Sequence, residues 1–442
     1  MTSEAATNVL VVSGEPIGET RAGPAVRALA IADQVSRLSA VRVLSSAVLD
    51  RSEHSGYTVF SRRDVKEQVA WADVIVFQGY FLTEFPWVAH SRKILVVDLY
   101  APFQLEHLLE IGESHSPKEL KEFVQTVASV NWQLQHGDYF LCASEKQRDF
   151  WLGQLAAMGR INPENLLAGA DFKHLIDVAP FGIDAPLDTQ VELSLRKQIK
   201  AQPEDKILIW GGGIYEWFDP LNLIRAMAIL KTQHPEVKLF FLAVHHPNQN
   251  VTVSPTVEES IALAQELDLL EKNVFFNQNW VPFQDRGAFF ADANIGISTH
   301  GDHIESRFSF RTRMLDYIWA GLPIIASEGD AFAELIEGRS LGKVVEFGNP
   351  EAIARAIEQL LFTPGLIETL KVNINNAQKE FSWDVTLAPL VAFCSSPHKA
   401  ADAHYNWNKV TKQPSRPRPR WQAARQILTE GGAKALFRKL VQ

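Results

Sequence analysis

SFRTRMLDYIWAGLPIIAS, residues 309–327, is the stretch that best predicts the fold. Ser309 is suited to cap a helix and Gly321 to end it, so we predict a helix over 310–320. The apolar residues at 324–326 predict a buried parallel strand directly after that helix. A short helix that leads into a buried strand is typical of an α/β protein.

Two arginines stand at the start of this predicted helix. Arg311 and Arg313 fall in its first turn, where the free backbone amides favour anions. Asp316 follows Arg313 by three residues and therefore lies on the same face. This pattern suits a phosphate next to a sugar diol, so it indicates half of a nucleotide site. The alternative is a surface helix with ordinary ion pairs.

Short apolar runs alternate with helical patterns along most of the 442 residues, which predicts parallel sheets. The predicted strands form two series, at 9–13, 41–45, 74–78, 94–98, 139–143 and 177–184, and at 206–210, 238–244, 274–277, 295–298, 323–326 and 342–346. We predict two doubly wound Rossmann-like domains, over 1–190 and 191–395, followed by a basic tail over 396–442. Ligands of such sheets bind beyond the carboxyl ends of the strands, so the expected site is the cleft between the domains.

The charge of the chain is unevenly distributed. A net charge of −9 argues against generic nucleic-acid binding, yet residues 399–442 carry ten Lys or Arg and two Asp or Glu. Arg-Pro repeats and apolar residues such as Trp421 occur in this tail. The composition favours contact with an anionic membrane surface, and a disordered solubilising tail is the alternative.

The remaining composition indicates an intracellular globular protein. Hydrophobic residues make up 46% and charged residues 21% of the chain. Cys142 and Cys394 stand in apolar surroundings, which favours reduced core thiols. The first residues have neither a basic region nor a long apolar run, so we expect no signal peptide. We predict a cytoplasmic protein whose tail reaches the inner face of the cytoplasmic membrane.

A glycine-containing loop follows the first predicted strand of each series. Gly23, just before Pro24, allows the backbone to approach a ligand, although an ordinary loop explains it as well. Gly211, Gly212 and Gly213 follow the first strand of the second series, and Trp217 lies close behind them. These glycines allow the main chain to contact a phosphate or sugar, with a tight turn packed by aromatic residues as the alternative. Neither loop has the GxGxxG pattern of a dinucleotide site.

The order of these motifs resembles that of the family 4 glycosyltransferases, which have the two-domain GT-B fold. Four segments carry the resemblance: APFGID, which ends at 184, the glycine turn, WVPFQDRGAFFADANIGIST at 280–299, and MLDYIWAGLPIIAS at 314–327. It runs from Asn8 to about Phe393. It implies a retaining hexosyltransferase that moves a sugar from a nucleotide-sugar donor to a glycan or lipid-linked saccharide, in cell-surface polysaccharide synthesis. The nucleotide sugar is then a substrate, and no cofactor or metal is expected.

The resemblance also implies roles for single residues. Asp316 stands where the family has an acid that holds the ribose, whereas Phe308 stands where it has its first acid, and Glu305 is the expected substitute. Because 211–219 contains no Lys or Arg, we predict that Arg311 and Arg313 stabilise the leaving diphosphate.

Three side chains remain less defined. Asp98 ends a strand that in the family often carries a donor-facing histidine, so it either orients hydroxyl groups or is structural. His303 and Glu305 favour a polar donor-loop role over a metal site. Two other functions stay open, a sugar-nucleotide epimerase or hydrolase and an inactive nucleotide-sugar binding module.

Overall fold

The computed structural model describes residues 6–18, 21–45, 52–54, 56–112, 115–184, 195–244, 254–278, 281–282 and 285–405. The basic tail from residue 406 onward lies outside these ranges, and so does its predicted membrane contact. Residues 280, 283 and 284 of the predicted donor segment lie outside them too.

The first sheet is built from the first series of apolar runs. Its strands are β1 (Asn8–Val12), β2 (Ala40–Ser45), β3 (Ser52–His54), β4 (Tyr57–Ser61), β5 (Val74–Phe77), β6 (Ile94–Asp98), β7 (Tyr139–Cys142) and β8 (Ile176–Val178). Within the described ranges they lie in the order β3-β4-β2-β1-β5-β6-β7-β8, and every pair is parallel except β3 with β4. Every residue of β5 and β7 is buried, as expected for strands covered on both faces.

The second sheet follows the second series. Its strands are β9 (Lys206–Trp210), β10 (Val237–Phe241), β11 (Val274–Phe276), β12 (Ile295–Ser298), β13 (Ile324–Ser327) and β14 (Gly342–Val345). They are parallel, in the order β11-β10-β9-β12-β13-β14. The predicted α/β fold with two doubly wound sheets is confirmed. The sequence did not indicate β3 and β4, and β8 is shorter than the predicted strand at 177–184.

Helices cover both sheets. Those of the first half are α1 (Gly23–Val35), α2 (Val65–Trp71), α3 (Phe81–Glu84), α4 (Phe103–Ile111), α5 (Pro117–His136), α6 (Glu145–Ala157) and α7 (Pro163–Ala168). Those of the second half are α8 (Leu195–Gln198), α9 (Pro220–Leu230), α10 (Pro255–Glu266), α11 (Arg286–Ala291), α12 (Ile304–Phe308), α13 (Thr312–Trp319), α14 (Ala331–Arg339), α15 (Pro350–Phe362), α16 (Leu366–Gln378), α17 (Trp383–Thr386) and α18 (Ala388–Ser395). None of the described helices combines the length and apolar composition needed to cross a bilayer.

Each sheet reverses its strand order beside its first strand. In the first sheet, β1 lies between β2 and β5, and in the second, β9 lies between β10 and β12. The chain leaves these neighbouring strands in opposite directions, so the loops at their carboxyl ends diverge and open a crevice. The fold therefore places one ligand crevice in each half of the protein.

After crossing the second domain, the chain returns to the first. The ring of Phe393 in α18 stacks on Tyr139 of β7, with centroids 4.3 Å apart. Further on, the Asp402 carboxylate accepts two hydrogen bonds from the buried Arg160 guanidinium, at 2.9 and 3.0 Å. Residues up to His404 thus belong to one compact unit with the two sheets, although Asp402 falls in the predicted tail. The predicted boundaries at 190 and 395 stay predictions.

Candidate functional site

The two crevices face each other and form one cleft of about 980 Å³. Its lining includes ten of the eleven residues that the sequence singled out: Gly23, Asp98, Gly211, Gly212, Gly213, Trp217, Glu305, Arg311, Arg313 and Asp316. His303 is the exception. The structure therefore gathers residues that are up to about 290 positions apart in the sequence, as parallel strand ends at a switch point require.

The glycine turn after β9 is held against α13. The Gly211 amide donates a hydrogen bond to the Tyr317 hydroxyl at 2.9 Å, and that hydroxyl donates to Ile297 of β12 at 2.8 Å. A Cβ on Gly211 would lie 3.0 Å from the Phe290 ring, and Gly212 has a φ of +112°. Both positions therefore favour glycine, one by its close packing and the other by its backbone conformation. The packing and backbone conformation of this turn therefore require its glycines independently of any ligand.

The end of this loop is tied to the loop after β12. Asp219 caps α9 through the Asn222 amide at 3.1 Å, and its carbonyl accepts from the Thr299 hydroxyl at 2.6 Å. His303 caps α12, and its Nε2 lies 3.2 Å from the Trp217 carbonyl oxygen. His303 thus supports the loop that carries Trp217, whose ring stacks on Tyr215. In the described residues we find no cluster of three or more His, Cys, Asp or Glu placed to hold a metal ion.

Arg313 is a buried cation at the base of the cleft. Its Nη2 donates to the Gly213 carbonyl at 2.7 Å, and its guanidinium lies 3.9 Å from the centre of the Phe218 ring. Nη1 has no hydrogen-bond partner among the described residues. Burial lowers the pKa of Arg313 to about 10, so the group is still charged at neutral pH. A buried cation with an unused donor is suited to bind an anion.

Arg311 is paired with an acid from the preceding helix. Its two terminal nitrogens donate to the two carboxylate oxygens of Glu305, at 3.2 and 2.8 Å, and all these atoms are buried. Its Nε makes no hydrogen bond within the described part of the chain and lies 4.0 Å from the carboxylate of Asp330. Arg311 is therefore held between Glu305 and Asp330, and it contributes its charge to the cleft from a fixed position. Glu305 itself is 1% exposed and is engaged with Arg311.

The predicted start of the arginine-bearing helix is wrong. Ser309 does not cap it, because the Ser309 amide donates to the Glu305 carbonyl at 2.8 Å and thereby ends α12. The chain then turns, and α13 begins at Thr312 with Arg311 at its N-cap position. This extra helix brings Glu305 to Arg311. Part of the negative charge that balances the two arginines therefore comes from the protein's own Glu305 carboxylate.

Phe308, which stands at the family's first acidic position, contacts the first domain. Its ring lies 4.7 Å from that of Phe150 in α6, measured between centroids. Its carbonyl oxygen accepts a hydrogen bond from Gln147 at 2.8 Å. The position is therefore used for packing between the two domains, which explains an apolar residue there.

Asp316 lies nearer the mouth of the cleft. Its carboxylate is 21% exposed and pairs with Arg286 of α11 at 3.0 Å. Burial raises the pKa of Asp316, and the nearby Arg286 and Arg313 oppose that shift. Apart from its place in the 280–299 segment, no sequence pattern indicated Arg286.

Asp98 is held by a buried network in the first domain. It accepts hydrogen bonds from Arg27 at 2.6 and 2.8 Å and from Gln78 at 2.9 Å. Arg27 also donates to the Ala179 carbonyl at 2.8 Å. This geometry favours the structural alternative for Asp98, because its oxygens are already occupied, although the residue lines the cleft. Sequence reasoning missed Arg27 and Gln78, which come from other elements.

Gly23 begins α1 and lines the cleft, yet the space around it does not require a glycine. A Cβ there would meet nothing within 4 Å among the described residues, and its φ is not positive. Pro24 follows in the first turn of the helix. A role of its backbone in donor binding stays a prediction.

Glu106 of α4 is a cleft residue that the sequence did not indicate. Burial raises its pKa to about 8, with further contributions from the carboxylates of Glu305 and Glu110. Glu106 belongs to the first domain and Glu305 to the second, so the two acids interact across the cleft. The packing of α12 against α4 brings Glu106 close to Glu305.

Comparison with known proteins agrees with this geometry. Residues 205–362 match the family described as glycosyl transferases group 1. The D-inositol 3-phosphate glycosyltransferase of Jonesia denitrificans is 21% identical over 246 residues, 54% of this chain and 55% of that protein. The chain thus matches about half the length of this curated relative.

Solved structures resemble nearly the whole chain. Sucrose-phosphate synthase from Thermosynechococcus elongatus has a TM-score of 0.62 at 14% identity, over 88% of this chain and 98% of that chain. HepE from Anabaena, in complex with UDP and glucose, has a TM-score of 0.61 at 17% identity, over 88% of this chain and 100% of that chain. Identities this low show the fold alone. The chain therefore has the GT-B fold, and its residues 205–362 match the group 1 glycosyl transferase family.

Proposed function

We propose that this protein is a glycosyltransferase that moves a hexose from a nucleotide-sugar donor to a glycan or lipid-linked saccharide. The observation that carries the proposal is the pair of buried arginines, Arg311 and Arg313, of which Arg313 contacts the glycine turn and keeps an unused N–H group. A diphosphate is the ligand whose charge and size match two guanidinium groups at a switch point. The group 1 domain and the UDP bound by HepE support this choice.

The chemistry follows from where charge develops. The bond between the sugar C1 and the diphosphate oxygen breaks, a bond from C1 to an acceptor hydroxyl oxygen forms, and the acceptor proton passes to the departing diphosphate. Arg311 and Arg313 stabilise the growing negative charge in a site that excludes water. Asp316, at the mouth, binds the ribose hydroxyls. The nucleotide sugar is a substrate, and the proposal needs no cofactor.

Retention of the anomeric configuration is part of the proposal and rests on the family resemblance. The leaving diphosphate and the acceptor then occupy the same face of the sugar. In the described cleft, the buried carboxylates of Asp98 and Glu305 are both engaged with arginines. Electrostatic stabilisation by the arginines is accordingly the main catalytic contribution.

A screen of sugar nucleotides tests the proposal. Purified protein is mixed with UDP-, GDP-, TDP- and CMP-sugars, and the melting temperature is measured, since a bound donor stabilises the folded state. Release of the nucleotide is then measured with and without a panel of saccharide acceptors. We expect one nucleotide class to stabilise the protein and its release to depend on an acceptor. Turnover at equal rates without acceptor would identify an epimerase or hydrolase, and binding without turnover would identify a binding module.

We also propose that the basic tail attaches the protein to the inner face of the cytoplasmic membrane. The support is its composition, ten Lys or Arg over 399–442 together with Trp421. The full chain should float with phosphatidylserine vesicles and not with phosphatidylcholine vesicles, whereas a chain ending at residue 405 should float with neither. Equal flotation of the two chains would contradict the attachment.

A further inference from the structure

The two walls of the cleft differ in charge. The second domain contributes three arginines, Arg286, Arg311 and Arg313, which we call the cationic wall. It also contributes Glu216, Glu305 and Asp316, and of these acids Glu305 is paired with Arg311 and Asp316 with Arg286. The first domain contributes the carboxylates of Glu15, Glu84, Glu106 and Glu110, which we call the anionic wall. Two arginines of the first domain also line the cleft. Arg62 is paired with Glu84 at 2.5 Å, and the Arg21 Nε donates to the Gly18 carbonyl at 2.7 Å. The ligand that reaches the first domain therefore meets mainly carboxylates.

Two of these carboxylates follow each other along α4. Glu106 and Glu110 are four residues apart, so they lie one turn apart on the same face of the helix. Burial raises the pKa of both, and other carboxylates add to the effect, Glu305 on Glu106 and Glu216 on Glu110. An environment that resists one further negative charge on a carboxyl group also resists the two charges of a phosphate monoester.

Gln78 adds an unsatisfied acceptor to the same wall. Its Nε2 donates to Asp98 at 2.9 Å, which leaves Oε1 on the other side of the amide. The residue is 6% exposed and lines the cleft, and Oε1 accepts no hydrogen bond from any described residue. A buried carbonyl oxygen without a donor is destabilising unless a ligand or water supplies one. A hydroxyl group is such a donor, whereas an ionised phosphate is not.

Aromatic rings complete the wall. Tyr80 is 46% exposed and lines the cleft, with its ring centroid 5.1 Å from that of Phe103. Its hydroxyl lies 3.1 Å from Thr126 Oγ1, so the ring is anchored at its polar end. An anchored ring exposed in a cleft offers a flat apolar surface to a ligand that is apolar on one face.

We propose that the anionic wall binds an uncharged saccharide and that the acceptor is therefore a neutral sugar and not a phosphorylated one. A sugar ring has apolar C–H faces, which suit Tyr80, and hydroxyl groups on its rim, which suit Gln78, Glu106 and Glu110. Its hydroxyls donate to the carboxylates and to Gln78 Oε1. This inference rests on the proposed glycosyltransferase function and names the acceptor for it.

The test compares matched acceptors. Binding is measured on an array of neutral saccharides, each present with its phosphorylated counterpart, with the best nucleoside diphosphate from the donor screen in solution. We expect neutral saccharides to bind at least about tenfold more tightly than their phosphorylated counterparts, because like charges are penalised in a partly buried site. Stronger binding of the phosphorylated partners would overturn the proposal, as would binding of no neutral saccharide.

The second part of the test reverses the charge of one carboxylate of the anionic wall. Glu110→Lys should reduce the preference for the neutral saccharide at least about tenfold, and Glu122→Lys, on the exposed surface of α5, should leave it unchanged. Equal preferences in the two variants would contradict a role of the anionic wall. Donor binding is measured on the same samples. If the wild-type protein binds no nucleotide sugar, the proposed function itself is contradicted. If it binds the donor but prefers phosphorylated sugars, only this inference is contradicted.

Discussion

The cationic wall and the anionic wall face the same cleft but are built by opposite means. On the cationic wall, the guanidinium of Arg311 is fixed by a bidentate pair with Glu305, and Arg313 keeps one unused donor. On the anionic wall, Glu106 has no such ion pair with any described residue, and burial together with the carboxylates of Glu305 and Glu110 raises its pKa to about 8. Fixed cations suit an anion that must be stabilised in the transition state, and acceptors suit a ligand rich in hydroxyl groups.

The largest expected effect tests the cationic wall. Arg313→Ala removes a buried cation beside the diphosphate position, so turnover should fall by about three orders of magnitude, as for loss of a key transition-state donor. The matched control is Arg225→Ala, an exposed residue of α9 in the same domain. The ratio kcat/KM is measured with the melting temperature. Wild-type turnover in a folded Arg313→Ala protein would remove the diphosphate role.

Arg311→Ala is tested together with a double variant, because the single substitution leaves Glu305 buried and without its arginine. We expect the single variant to lose stability by about 3 kcal/mol, the usual cost of breaking a buried ion pair. Adding Glu305→Gln should restore much of the stability and none of the turnover. Recovery of turnover in the double variant would mean that Arg311 acts only through Glu305.

The next effect concerns the base of the anionic wall. Asp98→Asn breaks the buried pair with Arg27 and should lower the free energy of unfolding by about 3 kcal/mol, with turnover at low temperature nearly unchanged. Denaturant unfolding measures the first quantity and kcat the second. Asp149→Asn, exposed on α6, should change stability by less than about 0.5 kcal/mol. A stable Asp98→Asn protein without turnover would assign Asp98 to the chemistry.

A smaller effect locates the nucleoside on the cationic wall. Asp316→Ala should weaken binding of the nucleoside diphosphate about tenfold through the loss of hydrogen bonds to the ribose. In the wild type, the 2′-deoxy nucleotide should bind more weakly than the ribonucleotide. That difference should disappear in the variant, and calorimetry measures it. Persistence of the difference would place the ribose elsewhere.

The smallest effect is a pH dependence of the anionic wall. Folded Glu106 ionises near pH 8 and unfolded Glu106 near 4.5, so the folded state binds more protons between these values and loses stability as pH rises. Glu106→Gln removes this loss. Its melting temperature should match that of the wild type near pH 5 and exceed it by roughly 2 °C or more at pH 8.5. A constant difference across this range, as expected for the exposed control Glu122→Gln, would contradict the raised pKa.

Much of the fold was predictable because buried parallel strands are continuous apolar runs. The runs at 9–13 and 206–210, for example, correspond to β1 and β9. β4 was missed because Tyr57–Ser61 mixes polar and apolar residues and lies near the edge of the sheet. Local patterns also misplaced the start of α13, because the amide of Ser309 ends one helix before the next begins.

The cationic wall was more predictable than the anionic wall for a physical reason. Arg311, Arg313 and Asp316 lie within six residues, so one local pattern contains them. Partners were not predictable from spacing alone, since Arg286 lies 30 residues from Asp316 in sequence and reaches it through packing. Glu106 and Gln78 come from different elements, and their common position depends on sheet order. Sites assembled from distant elements need the structure.

The return of the chain to the first domain has a consequence for biosynthesis. Ala400 belongs to the apolar core around β5 and β6, and Asp402 neutralises the buried Arg160. These residues are translated after the whole second domain. While the ribosome is still making that domain, the first sheet lacks part of its core and holds an uncompensated buried cation. The first domain to be synthesised is therefore the last to be completed.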